Sequence, residues 1–142
     1  MKNLTIFIFL AILSLNFLIA QDDSIQLDVK RSFVGNLTIK ITHPQPDIEI
    51  DQSLILKNGA RLIHLRIIQP GEDQSYLVGD VSKGSKIYAL TLRKRGKKFI
   101  YTTNKDELIS CEAKNQGQAE FAYKDGKIDG CKNGKFSVSV GF

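Results

Sequence analysis

Tryptophan is absent from these 142 residues, methionine occurs once, and histidine, cysteine and proline number two, two and three. Each scarcity narrows the chemistry available. A cleft that stacks sugars lacks its largest aromatic platform, which argues against glycoside hydrolysis by a carboxylate pair. Two histidines, His43 and His64, fall short of a zinc site unless carboxylates converge on them. His64 alternates with apolar neighbours in Arg61-Leu-Ile-His-Leu-Arg-Ile67 and reads as a strand residue with one hydrogen bond. There is no G-x-S-x-G elbow and no glycine loop that would cradle a phosphate. The expectation is a protein that is not an enzyme and that carries no cofactor and no metal.

Long apolar runs are equally scarce. The single one, Leu4 to Ala20, follows Lys2 and precedes the polar Gln21-Asp22-Asp23. A basic start, an apolar stretch and a small residue before a polar chain are the parts of a secretory signal peptide. At this length, with Asn16 near its end, the run is short for a transmembrane helix. Residues 1–20 are therefore expected to be cleaved, leaving a single β domain over residues 21–142 that is secreted, or periplasmic in a bacterium.

In such a compartment two cysteines form a disulfide, Cys111 to Cys131, and leave no thiol for nucleophilic work. Closing that loop stabilises a fold by about 3 kcal/mol in the chain-entropy model. Asn36-Leu37-Thr38 is an N-glycosylation sequon if the source is eukaryotic, so Asn36 is a candidate acceptor on a surface loop.

What is present in quantity is strand and turn. Apolar and polar residues alternate in Leu37–Ile41, Ile48–Ile50 and Phe136–Val140, the period-two pattern of a half-buried strand. Gly35-Asn36, Asn58-Gly59, Pro70-Gly71, Asp125-Gly126 and Asn133-Gly134 punctuate the chain as turns. Strands are predicted near 25–33, 37–42, 46–50, 53–57, 60–68, 75–79, 86–93, 98–104, 108–114, 118–124, 127–131 and 135–141. No window carries a helical stripe. The stiff segment His43-Pro-Gln-Pro46 is expected to carry the chain from one sheet to the other.

The predicted fold is all-β: a small antiparallel β-sandwich, or a strongly coiled barrel, with one disulfide. The cysteines constrain it further. In a flat three-strand meander over residues 108–131 they would lie two strand spacings apart, about 9.5 Å, whereas bridged Cα atoms lie within about 7 Å. Either the first of these strands belongs to another sheet, or the third returns beside it. Phe136, Val138, Val140 and Phe142 share one face of the last strand, which is expected to complete the core. A terminal aromatic also fits an outer-membrane barrel, but most strands here are shorter than such barrels need.

Charge is uneven. The net charge is +5, and residues 81–105 hold eight basic residues and no acid. Within them Lys86–Thr103 reads as a hairpin turning at Arg95-Gly96, with Leu92 opposite Phe99 and Leu90 opposite Tyr101 on its apolar side. Lys94 would then face Lys97, and Arg93 would face Lys98, like charges that repel across a ladder. Arg93, Lys94, Arg95, Lys97 and Lys98 are the candidate ligand-binding residues. Their expected partner is a polyanion, namely an acidic glycan or an anionic membrane surface, because Lys and Arg neutralise such anions and Arg does so bidentately. Export makes nucleic acid a poor candidate. The same tip could instead serve only solubility and block edge pairing, in a structural or cell-surface module that binds protein partners, or in a secreted toxin or inhibitor. The alternating acids Asp47, Glu49 and Asp51 could meet a Ca²⁺ ion but read first as a polar strand face.

Overall fold

The computed structural model describes residues 25–82, 85–114 and 118–140. Twelve strands occur there and no helix: β1 (Gln26–Arg31), β2 (Leu37–Thr42), β3 (Glu49–Ile50), β4 (Leu54–Ile55), β5 (Arg61–Ile68), β6 (Ser75–Val81), β7 (Lys86–Arg95), β8 (Lys98–Thr102), β9 (Glu107–Ala113), β10 (Phe121–Lys124), β11 (Lys127–Cys131) and β12 (Gly134–Val140). Each overlaps a predicted segment. The expected signal peptide and Phe142 lie outside the described residues.

The ten-residue β7 organises the rest. One of its edges pairs with β6, Ile87 to Leu92 lying opposite Asp80 to Ser75. Its other edge is shared: Lys86–Leu90 pair with β9, whereas Arg93–Arg95 pair with β8. Two arms therefore leave the same strand, β8-β2-β1 on one side of the fork and β9-β12 on the other. With β6, β5, β3 and β4 they make one curled antiparallel sheet of ten strands, and β10 and β11 form a separate two-stranded sheet. The His43–Pro46 segment links β2 to β3, which lie near opposite ends of the curled sheet.

Alternation sends the side chains of β6, β7 and β9 into two cores. On one face Leu77, Tyr88, Leu90, Leu92 and Leu108 meet Leu37, Ile39 and Ile41 of β2, Phe99 and Tyr101 of β8, and Leu62, Leu65 and Ile67 of β5. Burying one such aliphatic side chain stabilises the fold by about 1.5–3 kcal/mol. On the other face Tyr76, Val78, Ile87, Ala89, Ile109 and Cys111 lie under Ala119, Phe121 and Ile128 of the β10–β11 segment.

That covering hairpin is held in three ways. Cys111 of β9 is bridged to Cys131 of β11, with the Cα atoms 5.5 Å apart. The Ile128 N–H donates to the Tyr76 hydroxyl at 3.2 Å. At its tip Gly126 packs backbone to backbone on Gly71, where a Cβ on Gly71 would come within 2.8 Å of the Gly126 Cα. The disulfide thus ties one sheet to another, the first of the two arrangements its spacing allowed.

A bulge in β5 lets its alternation change phase. His64 and Leu65 together oppose Gly79, and His64 has φ 52°. The extra residue lets Leu62 and Leu65 both point inward. They converge on Gly79, where a Cβ would lie 2.9 Å from the Leu62 Cβ and 2.8 Å from Leu65 Cδ2. Only glycine fits opposite the bulge.

Three expectations are corrected. The β7–β8 turn falls at Gly96-Lys97, one residue later than predicted, with Arg95 opposite Lys98, Lys94 opposite Phe99 and Arg93 opposite Ile100. Gly96 has φ 59°, and glycine at the first central position is the II′ hairpin preference. The predicted pairing of Leu90 with Tyr101 does not form, because β9 occupies that stretch of β7 and sets Leu108 opposite Leu90. Leu90, Leu92, Phe99 and Tyr101 still enter the core, so the apolar side of the hairpin is as expected. The last strand, in contrast, does not complete the core. β12 pairs only with β9, and the hairpin covers Phe136 but stops there, leaving Val138 47% and Val140 57% exposed.

Candidate functional site

The outer face of the β7-β8-β2-β1 arm gathers cations that are far apart in sequence. Directly opposed residues in an antiparallel pair share a face. Arg95 opposes Lys98, Lys98 opposes Thr42, and Lys40 lies two residues from Thr42 on the same face. Lys40 opposes Asp28, and Lys30 is two residues from Asp28. Arg95, Lys98, Lys40 and Lys30 therefore form a diagonal stripe crossing four adjacent strands. Neighbours along it are separated by about 5 Å for an opposed pair and 7–8 Å for a diagonal one. Lys97, in the turn, projects at its tip end, whereas Lys94, opposite Phe99, is exposed on the other side of the hairpin. Threonines 38, 42 and 102 share this face and offer hydroxyls between the charges.

These cations are uncommitted. Among the described residues no ion pair involves Lys30, Lys40, Lys94, Arg95, Lys97 or Lys98. Asp28 lies on the same face, and with Thr42 it lines a cleft shared with Glu49 and Asp51. A stripe of unpaired like charge raises the local concentration of anions, and each Lys or Arg can donate a charge-assisted hydrogen bond to a sulfate, carboxylate or phosphate oxygen.

Arg93 has a different role. Its Nε lies 2.7 Å from Oδ1 of Asp106, whose side chain is only 5% exposed, and Asp106 Oδ2 accepts the Thr102 N–H at 2.7 Å. The pair sits where β8 leaves β7 and β9 takes its place. Next to it, the buried Thr103 hydroxyl accepts the Leu37 N–H at 3.0 Å and donates to the Leu37 carbonyl at 3.2 Å. Arg93 thus pins the fork, and of the five residues singled out in sequence the structure leaves Lys94, Arg95, Lys97 and Lys98 at the tip.

Lys30 and Lys40 were missed because both lie outside the base-rich segment 81–105. The signal available was the alternation Thr38-Lys40-Thr42, which identifies the polar face of β2. What sequence alone does not supply is that β8 is its neighbour.

The other candidates separate. His64 Nδ1 lies 2.8 Å from Glu49 Oε1 on an exposed surface, the one hydrogen bond expected of that histidine's side chain. Glu49 and Asp51 line, with Asp28, an open cleft of about 770 Å³ between β1 and the 48–52 segment. Among the described residues no three His, Cys, Asp or Glu side chains are grouped so as to hold a metal ion. Asn36 is half-buried beside the β1–β2 turn, its amide oxygen enclosed without a partner among the described residues. No helix among the described residues is long and apolar enough to cross a membrane. Compared with protein-family models, curated proteins and solved structures, the chain matches none.

Proposed function

We propose that this protein is a secreted, non-enzymatic binding domain, exported by a signal peptide over residues 1–20, that contacts a polyanion through its basic arm. The ligand class is an acidic glycan or an anionic membrane surface. The observation that carries this reading is the stripe Arg95–Lys98–Lys40–Lys30, extended at the tip by Lys97, with Lys94 on the other side of the same tip, and free of ion pairs among the described residues. The disulfide agrees with an oxidising compartment.

The test is elution from a heparin column under a salt gradient. The parent should be retained and released by salt, since exposed charges are screened over about 8–10 Å at physiological ionic strength. The triple variant Lys40→Ala, Arg95→Ala, Lys98→Ala should elute early. Lys124→Ala with Lys127→Ala, on the β10–β11 hairpin away from the stripe, should elute with the parent. A parent that passes straight through, or is retained just as well at about 1 M salt, where screening acts within about 3 Å, would sink the reading.

A further inference from the structure

The β1–β2 turn carries two apolar side chains that nothing in the described fold covers. Phe33 is fully exposed and Val34 is 68% exposed. They are not on a loose loop. The Ser32 N–H donates to the Asn36 carbonyl at 2.9 Å, the Gly35 N–H to the Ser32 carbonyl at 3.0 Å, and the Asn36 N–H to Ser32 Oγ at 3.0 Å. Gly35, at φ 86°, closes the turn. The Arg31 guanidinium donates to the Ile55 carbonyl and ties this hairpin to β4. Val29 and Ile55, also exposed, belong to the same end, so half of the large exposed apolar residues among those described cluster there. Solvated turns seldom present such a cluster without a partner.

The charge around it is of one sign. Segments 29–38 and 54–61 contain Lys30, Arg31, Lys57 and Arg61 and no acid. All four are exposed, and Arg61 stands directly opposite Ile55. A convex apolar point ringed by cations matches an anionic bilayer, in which acyl chains lie beneath a plane of negative headgroups. The turn's internal hydrogen bonds pre-order it, so insertion would require little further ordering.

We infer that the β1–β2 turn is a membrane-insertion tip: Phe33 and Val34 enter the acyl boundary of an anionic phospholipid bilayer while Lys30, Arg31, Lys57 and Arg61 contact its headgroups. This goes beyond the polyanion reading, since it assigns a second site and an apolar insertion that surface charge alone does not give. Lys30 is the one residue common to both.

The absence of tryptophan makes the test direct. Phe33→Trp places a single reporter at a position with no packing to disturb. With vesicles of phosphatidylcholine and phosphatidylserine its emission should shift to the blue and be quenched by lipid-borne quenchers; with phosphatidylcholine alone neither change should occur. Phe33→Ser with Val34→Ser should weaken binding to the anionic vesicles roughly tenfold or more, as burial of these side chains implies, and should leave heparin elution unchanged. Unshifted emission from the Phe33→Trp variant in anionic vesicles, or a double variant that binds them as the parent does, would overturn the tip while leaving the stripe standing. Insertion by a protein that heparin does not retain would support the tip and remove the stripe.

Discussion

The two faces of the β6-β7-β9 layer are closed by different means. One is covered by the sheet's own curl, so that β2, β5 and β8 supply a continuous wall of Leu, Ile, Phe and Tyr side chains. The other is covered by a short hairpin that pairs only with itself. Hydrogen-bond continuity holds the first cover in place. The second depends on apolar contact, one covalent bridge and a glycine–glycine contact at its tip. A strand ladder can therefore support one cover by extension, whereas a detached cover needs a staple.

The largest expected effect separates the two directly. Cys111→Ala with Cys131→Ala should lower stability by about 3 kcal/mol, measured by urea unfolding. In native-state hydrogen exchange the Ile128 amide should lose protection well before the amides of Ile39 and Ile41 on the curled face. Equal loss on both faces would show that the covers are not separable. Next in size is Gly79→Ala, which acts on the curled face alone. A new methyl 2.9 Å from the Leu62 Cβ and 2.8 Å from Leu65 Cδ2 overpacks that core, at a cost of about 1–3 kcal/mol. Its midpoint in urea should fall while the Ile128 amide keeps its place relative to global unfolding.

The smallest effect is a titration, and it compares a tyrosine from each face. Burial pushes Tyr101, on the curled face, up to about 12, the Asp106 carboxylate adds to this, and the hydrogen bond with Thr103 opposes it. Tyr76, under the hairpin, is raised by burial, against the Ile128 hydrogen bond and with a further contribution from Glu107. The folded state thus holds these protons more tightly than the unfolded chain does. Their contribution to stability is complete below about pH 10 and is lost as pH rises above it, toward 12 for Tyr101, where the slope is at most about 1.4 kcal/mol per pH unit. Of the tyrosinate absorbance of the four tyrosines, undisturbed by tryptophan, the share of Tyr76 and Tyr101 should rise late and together with unfolding. An early rise to full amplitude in a still folded protein would refute the burial of both.

The strands were legible because alternation and turn dipeptides are local signals, and Leu37–Thr42 and Lys127–Cys131 match their predicted bounds. The disulfide was legible with them, and its reach excluded a flat meander. Other features depend on which strand lies beside which, and alternation is silent on that. The fork at β7 could not be foreseen, since Leu90 faces the same core whether β8 or β9 is its neighbour. Around Gly96 two turns one residue apart both look acceptable, and only the II′ preference for glycine first decides between them. The bulge at His64 hid within a run whose apolar residues satisfy alternation on either side of it. At the candidate site the tip charges stood out as a run, whereas Lys30 and Lys40 became part of it only through register.

The turn between β8 and β9 has a consequence for tolerated chain length. Residues 103–106 measure the distance from the last residue on one arm to the first on the other, with Arg93–Asp106 marking the junction. β9 is held between β7 and β12 with Leu108 in one core and Ile109 and Cys111 in the other, and a one-residue slip would exchange those faces. An inserted residue must therefore be taken up within the turn itself. There it would displace Asp106 from Arg93 and from the Thr102 N–H. This turn thus works as a spacer of fixed length, and a longer one should loosen the junction between the two arms while leaving the disulfide closed.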